Sequence, residues 1–386
     1  MLPTTDRSPS PLLVSILTLP LLSLAPACDS GDGDDGNGRP AELLVTADFE
    51  AQRLSLVDVQ AIRQPGATRA DALWAEVDLS SYPGAGPLQV ELTPDGSQAV
   101  VAIGPGFFQG IVGTTIGADD VPDGGALLLV DLDSQAVTAE FETTHVPMGM
   151  AISDDGSTAF AANFGDSSVG GSTMAVLDLQ AGSVTADFEV GPGPEQIDLS
   201  PDGSLGVINT AGDGGVRLFS TDDPEGSLGA PVITSSDSSW IVFVETNPSR
   251  AVVANSVLGS SSASLLDVLD PANPTVVDDL PLTTIPYGAM SLPGSSDVLM
   301  TAVEGNNAIV YRLATAGDTV SIVQEVAVPE AGLSFPLGIS VDAAGEFAYF
   351  GAPGDNRLVI LDLASFEATA VDWQESIGPT YAVVSR

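Results

Sequence analysis

The 386-residue chain carries 52 acidic residues against ten basic ones, all of them Arg, for a formal charge of −42. A surface this negative repels nucleic acid and anionic lipid headgroups, so no nucleic-acid partner is expected, and the charge fits solubility in a salty medium. The single Cys excludes an intramolecular disulfide framework, and the single His excludes a multi-histidine metal centre.

Residues 1–28 read as an export signal. Arg7 and the terminal amine form a weak positive region, residues 12–24 an apolar stretch interrupted by Pro20, and Ala25-Pro26-Ala27-Cys28 a small-residue cleavage site. The apolar stretch is too short to span a bilayer stably. The only Cys falls where cleavage would leave it as the first mature residue. The segment resembles a bacterial lipoprotein signal, departing from that pattern at Ala25 and Pro26, and the resemblance implies a signal peptide over residues 1–27 with a lipid attached to Cys28. The alternative is an ordinary secretory signal cut after Ala27, with Cys28 a free thiol. Residues 28–40 (CDSGDGDDGNGRP) contain nothing that could pack into a core and read as a flexible acidic tether.

From residue 41 to 386 the chain is a series of short apolar runs separated by Gly, Asp and Ser. The unit is clearest over residues 147–190, with strands predicted over 150–152, 158–163, 173–179 and 184–190. In the last of these Val184, Ala186, Phe188 and Val190 alternate with polar residues, as in a strand buried on one face. The unit recurs: TPDGS begins at Thr93, SDDGS at Ser153 and SPDGS at Ser200, the last two 47 residues apart; VTAEFE at Val137 and VTADFE at Val184 keep the same spacing. A four-strand unit of roughly 40–50 residues is the period of a β-propeller blade. Seven blades of about 49 residues fit the length, with inner strands near Pro87, Pro147, Pro194, Trp240, Pro286, Pro336 and Pro379. The first block, residues 43–79, holds only three convincing strands. The missing one is TYAVVS at residues 380–385, so the C-terminal strand is expected to complete the first blade and close the ring. The fold class is therefore an all-β, seven-bladed propeller of four-stranded antiparallel blades in one domain.

The blades resemble the YVTN-repeat, lactonase-like β-propeller family, in which a Ser-Pro-Asp-Gly turn precedes a strand ending in a small residue and Asn. That pairing appears as Ser153-Asp-Asp-Gly156 before Ala161-Ala162-Asn163, as Ser200-Pro-Asp-Gly203 before Val207-Ile208-Asn209, and more loosely as Asn247 to Arg250 before Val253-Ala254-Asn255. In the sixth and seventh blades Pro293-Gly294-Ser295-Ser296 and Asp342-Ala343-Ala344-Gly345 replace the turn. The resemblance implies the fold and leaves function open, because these motifs build turns and strands.

The longest loop between second and third strands, residues 104–125 of the second blade, explains why the first two inner strands lie 60 residues apart instead of 47. Phe107 and Phe108 in this insertion, with His145 on the linker returning to the same face, form the candidate ligand site; the competing reading is that the two rings cover the blade and His145 is a solvated loop residue. No cofactor is called for. Asp119, Asp120 and Asp123 offer carboxylate oxygens to a hard cation such as calcium, though clustered Asp is common in so acidic a chain. The resemblance also suggests a lactonase-like or sugar-phosphate hydrolase, with His145 as base and Arg217, Arg312 or Arg357 near third-strand starts as stabilisers. The reading favoured over that one, and over a purely structural surface protein, is a monomeric binding or scaffolding module. It would sit in the bacterial cell envelope, anchored to a membrane through lipid alone and facing the periplasm or the outside, with an envelope protein or glycan as partner; catalysis is left undecided. If the insertion is a binding element, replacing Phe107 and Phe108 with Ser leaves the melting temperature nearly unchanged; a large drop identifies the pair as core.

Overall fold

The computed structural model describes residues 38–105, 124–166, 169–235, 237–257, 259–305, 307–331, 337–374 and 377–385. The short β-branched runs form seven four-stranded antiparallel sheets arranged as a ring, as expected from the 47-residue period. The inner strands of the second to seventh blades are Gly86–Leu92, Pro147–Ile152, Pro194–Leu199, Ser238–Val244, Ile285–Ser291 and Ser340–Val341. The fifth thus begins two residues before Trp240, and Pro336 lies outside the described residues. The first blade takes Leu43–Asp48, Arg53–Asp58 and Leu73–Asp78 from the start of the domain and Pro379–Val384 from its end. Two single-turn helices that the strand pattern did not announce, α1 (Val59–Ile62) and α2 (Arg69–Ala72), join its last two strands.

Burial follows position in the blade. Middle strands such as Leu43–Asp48 and Ala126–Asp131 are buried along nearly their whole length, because both sheet faces pack against neighbouring blades. Outer strands such as Ala136–Phe141 and Glu367–Asp372 alternate exposed with partly buried positions, which is the period-two pattern read in the sequence. Between blades the contacts are large and apolar; Phe160 of the third blade meets Phe219 of the fourth with ring centroids 5.4 Å apart.

The Ser-Pro-Asp-Gly turns owe their sequence to hydrogen bonding. In the second, third and fourth blades the Asp accepts from the hydroxyl two residues before it and from the backbone N–H two residues after it: Asp95 from Thr93 and Ser97, Asp155 from Ser153 and Ser157, Asp202 from Ser200 and Ser204. Those bonds to the charged form, the Ser153 and Ser200 hydroxyls first, hold Asp155 and Asp202 down at about 2. The variant turns keep the same backbone closure: Ser295 N–H donates to Leu292 O and Gly345 N–H to Asp342 O, as Gly156 N–H does to Ser153 O.

Ring closure concentrates polar groups at the seam. Pro379–Val384 pairs with Leu43–Asp48, and the fully buried Asp48 at the end of that ladder accepts from Thr46 Oγ1 (2.7 Å), Trp373 Nε1 (3.1 Å) and Ser55 Oγ, with Arg69 and Arg53 alongside. Arg63, just past α1, crosses to the seventh blade, donating to Asp342 Oδ2 (2.7 Å) and lying 4.2 Å over the Phe347 ring. Burial pushes Asp48 up to about 6 against the opposing pull of its hydrogen bonds and of Arg69. A folded-state value above the ordinary 3.8 means that the stability Asp48 contributes is complete below pH 3.8 and lost as pH rises through about 6. The turn carboxylates run the opposite way, their share being lost as pH falls toward 2. Asp48→Asn keeps an acceptor for Trp373 and removes the titration. Relative to wild type its stability is therefore expected to gain about 2 kcal/mol between pH 4 and pH 7, read by denaturant unfolding at both pH values; a difference independent of pH would exclude Asp48 as the source.

Candidate functional site in the axial channel

Seven inner strands converge on the axis, and each turns one edge of backbone groups away from its own sheet. Side chains from adjacent blades satisfy part of that edge. Asp198 of the fourth blade accepts from Phe243 N–H of the fifth (2.6 Å), and Ser291 of the sixth donates to Phe243 O. Ser239 reaches Pro286 O (3.3 Å), and Thr380 reaches Pro87 O (3.0 Å). The inner ring is thereby stitched blade to blade by side chain to backbone bonds.

Two aromatic rings bridge the channel. Trp240 of the fifth blade and Tyr381 of the first, which are not neighbours in the ring, stack with centroids 6.2 Å apart and planes 21° apart. Both are almost completely buried. Tyr381 Oη donates to Glu91 Oε1 (3.0 Å), fixing the ring from the second blade. Gly338 is required beside it, because a Cβ there would stand 1.9 Å from Tyr381 Cε2. Below this pair lies a cavity of about 540 Å³ whose rim is formed by inner-strand turns, at Pro94, Pro201 and Pro293. Glu91, Asp198, Gln196 and Ser340 are among its polar residues, and Met150, Ile197 and Met290 among its apolar ones. At the opposite, strand-entry end, Glu195, Asp237 and Tyr287 come from the fourth, fifth and sixth blades. Burial raises Glu195 well above the usual carboxylate range with Asp237 adding like-charge repulsion, burial also raises Asp237, and Tyr287 is driven upward by burial and then by both carboxylates.

His145 lies on the linker into the third blade, partly exposed, in a segment tied down by Thr144, whose N–H and hydroxyl both reach Asp187 (2.7 and 2.6 Å). Thr143 Oγ1 donates to the His145 carbonyl (2.8 Å). Phe107, Phe108, Asp119, Asp120, Asp123 and Cys28 lie outside the described residues. Arg217 and Arg357 do sit in the first half of third strands, bonded to Asp213 (2.7 Å) and Asp372 (3.5 Å). Arg312 does not: its strand starts at Asn307, which places Arg312 midway along it, paired with Asp297 (2.6 Å) at the start of the preceding strand. More broadly, all eight arginines among the described residues are in ion pairs with carboxylates, and none lines the larger cavity.

The channel residues escaped the sequence reading. Trp240 served only as a strand marker and Tyr381 only as part of the closing strand. Their signal is steric: a ring in a strand that borders a closed axis has to lie along or across that axis.

No family model matches this chain, and no curated protein does. Among solved structures it is similar to a periplasmic gluconolactonase of Pseudomonas aeruginosa, with 14% identity over 89% of this chain and 99% of that one and a TM-score of 0.65. It is also similar to a putative 6-phosphogluconolactonase of Bacteroides fragilis, at 12% identity over 89% and 97% with a TM-score of 0.63. A functionally unknown protein of Desulfotomaculum acetoxidans gives 15% over 87% and 97%, with a TM-score of 0.64. At such identities the likeness shows the propeller fold.

Trp240→Ala is expected to destabilise the protein by about 3–5 kcal/mol through the cavity left in the channel, and Tyr381→Phe by about 1–3 kcal/mol because Glu91 loses a donor. Chemical denaturation of both variants checks this; a neutral Trp240→Ala would mean that the ring pair does not brace the channel.

Proposed function

We propose that the chain is an exported, lipid-anchored β-propeller that serves as a binding module in a bacterial cell envelope. The observation that carries the binding reading is the distribution of charge. The channel recess of about 540 Å³ carries carboxylates as its only charged groups, and every described arginine is committed to a carboxylate partner. Cleavage of a sugar phosphate draws on cationic groups to hold the phosphate and to stabilise developing negative charge, and no described arginine is available to do so. A rigid ring with a walled recess suits recognition of an envelope protein or glycan. Anchoring rests on Cys28 at the cleavage point and on the acidic tether of residues 28–40, which would hold a strongly negative domain clear of an anionic membrane surface.

A lactone-cleaving hydrolase is the second reading, favoured by the names of two structural neighbours. The two are separated by a lactone turnover assay on the purified protein: the binding reading expects none, whereas turnover abolished by His145→Ala would establish the hydrolase. Anchoring is tested by fractionating a bacterial host expressing Cys28→Ala, which is expected to move the protein from the membrane to the soluble fraction; wild type already found in the soluble fraction would overturn it.

A further inference from the structure

The cavity beneath the Trp240–Tyr381 pair has a chemistry more specific than a generic recess. Its charged groups are all of one sign: Glu91 and Asp198 lie partly buried inside it, and Asp154 and Glu245 stand exposed at its rim. The inner pair is held in place, Glu91 by the Tyr381 hydroxyl (3.0 Å) and Asp198 by the Phe243 amide (2.6 Å). Glu91 Oε1 also accepts from Gln89 Nε2 (3.1 Å), and an ionised carboxylate only accepts hydrogen bonds. Two further polar side chains of the lining, Gln196 and Ser340, are each 5% exposed, and Gln196 Oε1 and Ser340 Oγ have no hydrogen-bond partner in the protein. Buried polar atoms without partners are uncommon in native interiors and point to something that completes them. Between these groups the walls are aliphatic, and the floor presents aromatic rings.

We propose that this cavity is a binding site for an alkylammonium group, the chemistry shared by a linear aliphatic amine and a lysine side chain. An ammonium offers three donors and no acceptor, which matches carboxylates and an amide oxygen that only accept. Its aliphatic stem fits the apolar wall, and its charge is favoured near aromatic rings. The net charge of −42 draws cations toward the protein from a distance, and the recess concentrates that field. The assignment rests on the binding-module reading and names the class of ligand.

The test is calorimetric titration of the full-length chain in detergent with cadaverine, with its neutral analogue pentanediol, and with Nα-acetyl-lysine amide. Saturable binding of cadaverine is expected, weakening with added salt, with little or no binding of the diol. The double variant Glu91→Gln, Asp198→Asn keeps acceptors for Tyr381 and Phe243 while removing both charges; it should weaken cadaverine at least about tenfold with an unchanged melting curve. If that variant does not fold, Asp154→Asn with Glu245→Gln at the exposed rim gives the same reading at smaller amplitude. Preference for the lysine amide over cadaverine identifies a protein side chain as the source, and the reverse a free amine; both support the class. Cadaverine affinity unchanged in the variants, a diol that binds as well, or no binding of either amine would overturn the assignment. The binding-module reading fails separately, on lactone turnover.

Discussion

Everything in this molecule depends on one strand pairing that joins opposite ends of the chain. Pro379–Val384 completes the sheet begun by Leu43–Asp48, and only then does each blade have a neighbour on both faces. An open array would expose two blade faces and the edge of an incomplete sheet, and both invite association. The entropic cost of closing so long a loop grows only logarithmically with its length, so a modest set of seam contacts suffices to hold it. Those contacts are unusually polar for a core: Asp48 gathers donors from its own blade and from Trp373, and Arg63 reaches across to Asp342 and Phe347. A mispaired strand would cost the buried Asp48 its Trp373 donor, which makes the seam specific as well as stable.

Closure also decides what happens on the axis. Once seven inner strands are fixed around it, their inward side chains compete for a narrow space, and two of the largest, Trp240 and Tyr381, fill it by stacking. The channel has an acidic strand-entry end around Glu195 and Asp237 and a walled cavity at the turn end. The carboxylates in that cavity are not free decorations of a surface. Glu91 and Asp198 each perform a structural task for a neighbouring blade, on a ring hydroxyl and on a backbone amide, and by doing so they hold negative charge at fixed positions.

The acidic composition has a partly structural origin. Asp in the blade turns closes them by accepting hydroxyl and amide protons, a bond strong enough to depress Asp155 and Asp202 to about 2. The arginines serve the converse purpose, pairing with carboxylates within blades and across seams, as Arg250 does with Asp267 and Asp318. With the described arginines spent inside the architecture, the described surface is left to the acids.

The sequence by itself determined the blade count, the turns, the alternation of the outer strands and the closing strand, because each follows from local periodicity and turn chemistry that recur every 47 residues or so. Even the irregular turns at Leu292 and Asp342 close with the same backbone bonds as Ser153, since the strand pairing on either side enforces them. The two helices between Asp58 and Leu73 were hidden because a single turn is too short to show a helical period. Tertiary structure alone decided the channel. Trp240 and Tyr381 are 141 positions apart in the chain, and Glu91 and Asp198 belong to different blades with a third between them; no spacing relates them. They meet because rotation about a common axis, rather than proximity along the chain, brings equivalent strands to one place.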